Sequence, residues 1–235
     1  AGIFTKLSAE VRAGKVMADL VEGTGVGEAV IQAGFAQPYF TPLIDAYPKS
    51  YRDPKELWTP TRVSYFGTAY NTRQVPADQV PKTYEDLLDP KWKGKMAWSM
   101  NHSPSGASGF IGNVLTYMGE EKGMAYLRRL ATQNVTGVRV SARQLLDQVI
   151  AGEYSIGLQI FNYHPGISAA KGAHVDWIKM EPALAALGVM SITKPAPHEN
   201  AAKLFLDFLT SPEGQRLFRD ADYMRSEEHT SELQS

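Results

Sequence analysis

The 235-residue sequence contains no cysteine. That removes disulfides, thiol nucleophiles and cysteine-held zinc at once. The absence suits an oxidising compartment, although many cytosolic chains lack cysteine too, so it does not choose between them. Neither sign of charge is in excess: 24 Lys and Arg against 25 Asp and Glu leave a net charge of −1. A nucleic-acid binder would show a basic surplus or stripe, and neither is visible, so no nucleic-acid partner is expected. No apolar run reaches the roughly 18 residues that a membrane-spanning helix needs. The opening residues carry no initiator methionine, no basic region and no apolar signal core. Catalytic patterns are missing as well. His102, His164, His174 and His198 lack the HExxH spacing, no G-x-S-x-G occurs, and the carboxylates are scattered as on solvated helix faces.

What is present begins with 43% hydrophobic residues, enough apolar material for one large domain or two modest lobes. The last eleven residues, 225–235 (RSEEHTSELQS), read as the translation of a sequencing-library adapter. They are set aside from fold and function, His229 with them, and the gene is expected to be cut at both ends, as in a metagenomic fragment. Elsewhere strand-like and helix-like stretches alternate. Helical spacing over 7–14 precedes a short buried strand over 15–21, then the glycine-rich turn EGTGVG at 22–27 and a helix over 28–33. Residues 38–60 are rich in proline and aromatics and read as irregular surface. Further strands are expected over 63–70, 95–100, 137–140, 154–161 and 188–192. Helices are expected over 107–118, 120–132, 142–151, 198–209 and 213–221, with Ser141 as an N-cap. This alternation predicts an α/β fold with mostly parallel strands. In such sheets ligands bind outside the carboxyl ends of the strands. Three stretches fall there: 22–27, 101–107 and 162–166.

Each has a functional reading beside a structural one. The run Gly23-Thr24-Gly25-Val26-Gly27 follows a strand and opens a helix, so Thr24 and Gly25 could present backbone N–H groups to an anion. It is not a complete dinucleotide fingerprint, has no P-loop lysine, and is equally readable as a tight turn. In the loop His102-Ser103-Pro104-Ser105-Gly106-Ala107-Ser108, small hydroxyl residues before a helix either cap it or cradle a phosphate or carboxylate. Tyr163-His164 could coordinate a metal, or Tyr163 could stack on an organic ligand, or the pair simply marks a strand end meeting solvent.

Several strings, taken in order, carry a resemblance. They are PKTYEDLLDPKWKGK at 81–95, Tyr70-Asn71-Thr72, Ala151-Gly152-Glu153, APHENAAKLF at 196–205 and Ser211-Pro212-Glu213-Gly214-Gln215. Together they resemble the family 1 bacterial extracellular solute-binding proteins, in the branch of ferric-iron and phosphonate binders, over about residues 5–222. The resemblance implies an α/β, two-lobed periplasmic-binding-protein type II fold with hinge crossovers, N-terminally truncated here. Residues 1–66 and 189–224 would form lobe I, and 67–188 lobe II. It implies a secreted protein that catalyses nothing, holds its cargo in an interlobe cleft and delivers it to an ABC permease of the inner membrane.

For the site, ligand contacts are expected from His102, Ser103, Ser105, Gly106 and Ala107, from Thr24 and Gly25 in the other lobe, and from Tyr163, with Ser141 and Arg143 at a neighbouring helix start. Iron-binding relatives place adjacent tyrosines where this chain has Tyr163 followed by His164, so the second phenolate is absent. Glu22 could join Tyr163 as a metal ligand if iron were the cargo. The expected function is capture of a small anionic solute, with ferric iron as the alternative cargo, a polyamine or thiamine-like ligand behind it, no resident cofactor and a monomeric state. An enzyme or a ligand-sensing regulatory domain on the same fold is the rival from another class.

Overall fold

The computed structural model describes residues 2–101, 104–178 and 180–220. His102, Ser103 and the tail 225–235 therefore lie outside the described residues. The chain forms two compact units. One draws on the residues up to Val63 and from Ala186 onward; the other spans Ser64–Ala185.

In the first unit, helix α1 (Gly2–Arg12) leads to strand β1 (Leu20–Gly23), helix α2 (Val26–Gln32) and the two-residue strand β2 (Ala36–Gln37). The long strand β3 (Thr59–Asn71) starts here and runs on into the second unit, and β8 (Leu184–Thr193) makes the return. β1 and β2 both pair antiparallel with β8, in the registers Val21↔Ser191 and Ala36↔Thr193. Helices α7 (Glu199–Thr210) and α8 (Pro212–Asp220) complete the unit. The strand expected over 15–21 starts later, at Leu20. The α1 exit explains the delay: Gly14 adopts a left-handed φ of 65°, and the Lys15 amide still donates back to Glu10 O.

The second unit holds β4 (Met96–Ser99), α3 (Ala107–Met118), α4 (Glu120–Ala131), β5 (Thr136–Val138), α5 (Ala142–Ala151), β6 (Ile156–Phe161), α6 (Tyr163–Ala169) and β7 (Val175–Ile178). β4 pairs parallel with β5 and with β6, while β3 pairs antiparallel with β6 and β7. The expectation of mostly parallel strands is therefore corrected. Only β5–β4–β6 are joined by helical crossovers, which parallel pairing requires; the other connections return antiparallel. The stretch 162–166, expected at a strand's carboxyl end, opens α6, with Asn162 as its N-cap. Its Pro165 is tolerated because the first-turn amides have no intrahelical acceptor to lose.

Side-chain alternation sorts this sheet's two faces. Met96, Ile156 and Leu158 pack with Phe110, Val114, Tyr126 and Leu130 of α3 and α4. Ala97 and Ile160 pack with Leu145, Leu146 and Val149 of α5. Ile160 breaks the parity set by Ile156 and Leu158, and the register shows why. Gly67 pairs with Ile160 but Ala69 pairs with Gly157, so β6 carries one extra residue, a β-bulge.

Candidate ligand-binding site

The parallel trio brings three strand ends together in the second unit, at Ser99, Val138 and Phe161. The loop leaving β4 is tied down at once. Met100 N donates to Val138 O at 2.8 Å, and the Val140 carbonyl accepts from both Ser99 Oγ (2.5 Å) and Asn101 Nδ2 (3.1 Å). The loop then folds tightly onto itself. A Cβ at Gly106 would lie 2.3 Å from Asn101 O, and one at Gly109 would lie 2.0 Å from Pro104 O, so both positions need glycine for space. Gly106 is the N-cap of α3 and has no side chain to offer its amides, and the first α3 hydrogen bond runs from Phe110 N to Gly106 O. The first-turn amides of α3 thus lie ahead of its ladder of i−4 carbonyls. They lie beside the half-buried Ser105 and favour an anion.

The neighbouring strand ends contribute scaffold. Ser141 closes a capping box: its Oγ accepts from Gln144 N at 3.2 Å, and Gln144 Oε1 accepts from Ser141 N at 3.0 Å. Arg143 splits its guanidinium between Ser168 Oγ and Asp147 Oδ1, both at 2.8 Å, and so braces α5 against α6. Tyr163, 7% exposed, packs its ring 5.3 Å from Phe161 and 4.6 Å from His164. Burial pushes His164 down to about 4, with the Arg143 cation adding to the shift and Asp147 opposing it. The imidazole is therefore neutral at pH 7.

The remaining candidates belong to the first unit. Glu22, in β1, forms a very close ion pair with Arg62 Nη1, and Thr61 Oγ1 donates to Gly188 O at 3.0 Å alongside it. A carboxylate already neutralised by a guanidinium is a poorer ligand for a hard cation. Gly25 is the α2 N-cap at φ 84°, in the left-handed region, and Thr24 lies in the same turn. A Cβ at Gly27 would come within 2.6 Å of the Val189 side chain. Turn conformation and close α2–β8 packing account for Gly25 and Gly27 without a ligand. Among the sequence-derived candidates, Ser105, Gly106 and Ala107 share one loop; Ser141 and Arg143 share the start of α5, joined to it through Val140.

Sequence reading passed over Gln159. It sits in the β6 bulge at φ 60°, is 3% exposed, and donates from Nε2 to Pro104 O at 2.9 Å. A non-glycine residue pays roughly 1–2 kcal/mol for this conformation. The available signal was a lone amide inside the otherwise apolar run IGLQIF. A separate cavity of about 440 Å³ is lined by Asp78, Asp86, Asp89 and Arg129 among others. Two of its carboxylates are locally engaged: Asp86 accepts from the Lys82 and Thr83 amides, and Asp89 from the Lys91 amide.

Comparison with known proteins adds the family context. Residues 16–234 match the family model described as bacterial extracellular solute-binding protein. A Fe(3+)-binding periplasmic protein of Serratia marcescens is 29% identical over 160 residues, covering 64% of this chain and 45% of the relative. A Salmonella typhimurium periplasmic protein assigned to 2-aminoethylphosphonate binding is 26% identical over 171 residues, covering 69% of this chain and 49% of the relative. The chain thus spans about half the length of these curated relatives. Among solved structures, the periplasmic binding protein AfuA of Actinobacillus pleuropneumoniae, with exogenous fructose-6-phosphate bound, superposes with a TM-score of 0.77. It is 25% identical, and the match covers 94% of this chain and 72% of that one.

Proposed function

The chain belongs to the bacterial extracellular solute-binding protein family, and on that premise we propose that it captures a small anionic solute and hands it to an ABC permease of the inner membrane. The cargo is a phosphonate, phosphate ester or carboxylate, bound outside the cytoplasmic membrane and released chemically unchanged. The observation that carries this reading is the loop at Ser105–Ala107, where a helix of 12 residues starts from a glycine N-cap at the carboxyl ends of parallel strands. Fixed amides and a serine hydroxyl suit an oxyanion. The phosphonate and sugar-phosphate names among the relatives support the same chemistry.

Ferric iron is the competing cargo, supported by the name of the Serratia relative. Two features weigh against it: Glu22 is paired with Arg62, and Tyr163 is followed by an imidazole next to Arg143. A thermal-shift panel of 2-aminoethylphosphonate, fructose-6-phosphate, inorganic phosphate, citrate and ferric citrate separates the readings. A ligand at about 100 times its Kd adds about 2.7 kcal/mol, roughly 5–10 °C for a chain of this size. Stabilisation by a phosphorus oxyanion, weakened at least about tenfold in Ser105→Asp, is the expected result. A response to ferric citrate but not to citrate, unchanged in that variant, would move the cargo to iron and leave the loop a helix start. Conversion of the bound compound, read by mass spectrometry, would sink the pure-binder reading.

A further inference from the structure

We infer that Gln159 is a positioning residue for the anion-binding loop: the bulge in β6 turns its buried amide onto Pro104 O and so fixes the backbone from which the α3 amides project.

Four observations converge on this residue. The register shift places one extra residue in β6 between the partners of Gly67 and Ala69. Gln159 holds a left-handed φ of 60° within the strand, where glycine or asparagine would fit more readily. The side chain is buried, and its Nε2 lies 2.9 Å from Pro104 O. The accepting carbonyl is itself jammed against α3, since a Cβ at Gly109 would come within 2.0 Å of it. Pro104 lies immediately before Ser105, so a displacement of its carbonyl moves the loop and the first turn of α3 together. A strained backbone held in place by a directed side-chain contact is the arrangement in which a bulge re-aims a side chain toward a site.

The consequence is a separation of two quantities that usually move together. Gln159→Gly and Gln159→Asn both ease the left-handed backbone, and neither reaches Pro104 as glutamine does. Unliganded thermal stability is therefore expected to stay level or rise, while the loop loosens. Hydrogen exchange of the unliganded full chain reads this directly. In both variants the amides of 105–109 are expected to exchange about tenfold faster than in the parent, with those of α5 unchanged. Unchanged exchange at 105–109 in both variants overturns the inference. So does a fall in thermal stability with uniformly faster exchange, which would make Gln159 an ordinary core residue.

The effect on binding rests on the proposed function and is scored separately. Titration with 2-aminoethylphosphonate and fructose-6-phosphate should show about a tenfold higher Kd in the variants. If the exchange result holds while the parent binds neither compound, the positioning role stands and the proposed cargo fails.

Discussion

The two units differ in how completely they close their cores. Among the described residues of the second, both faces of the sheet are covered: one cluster of 14 buried residues lies under α3 and α4, and another of eight lies under α5. The described residues of the first unit form two clusters of four buried residues each. It also leaves Leu204, Phe205 and Phe208 of α7 and Leu217 of α8 substantially in water. The contrast bears on the proposed site, because a loop presenting amides to an anion would need rigid strands behind it. The loop at Ser105 has such strands; the turn at Thr24 and Gly25 is set by its own glycines and a thin core.

Matched leucine truncations test that contrast most strongly. Leu146→Ala in the second unit and Leu206→Ala in the first remove the same atoms from sites that are 0% and 1% exposed. Leu/Ile/Met→Ala changes cost about 2–5 kcal/mol, with the larger values where surrounding structure cannot collapse. Leu146→Ala is expected near the upper end and Leu206→Ala near the lower, measured by denaturant unfolding. Equal costs would show that the first unit is packed as firmly as the second.

Acid should act mainly on the second unit, through His164. Its folded value of about 4 lies below the ordinary 6.5. Between those values the unfolded chain binds more protons, so stability falls as pH drops from about 6.5 toward 4 and is fully present above that window. Arg143 and Asp147 are the charges that face it. The loss is about 3 kcal/mol, and His164→Gln should flatten the profile. A slope unaffected by that change would assign the acid sensitivity elsewhere.

The smallest effect is expected on the exposed apolar side chains of the first unit. Leu204, 71% exposed, should tolerate Leu204→Gln within about 0.5 kcal/mol. A loss of 2 kcal/mol or more would mean that this face is covered in solution.

Much of this was legible before the structure. Helices α3, α4, α5, α7 and α8 fall within a residue or two of expectation because caps and apolar spacing are local signals: Ser141 with Gln144 at the start of α5, and Pro212 opening α8. The position of the 104–107 loop before α3 was also legible, although small residues there read as a helix cap as readily as an anion cradle. Strand direction was not, because pairing depends on residues distant in sequence: Gly67 meets Ile160, and Val21 meets Ser191. α6 was hidden by Pro165, which reads as a breaker unless its place in the first turn is known.

By itself, then, the sequence determined the family, the alternation of elements and the place of the small-residue loop before α3, all of which rest on contacts between near neighbours and on ordered motifs. Tertiary structure decided the roles of individual side chains. Only the fold could pair Glu22 with Arg62, place Arg143 between Ser168 and Asp147, and turn Gln159 onto Pro104, 55 residues away along the chain. Those assignments depend on through-space distance and on one extra residue in a strand, which composition and periodicity do not encode.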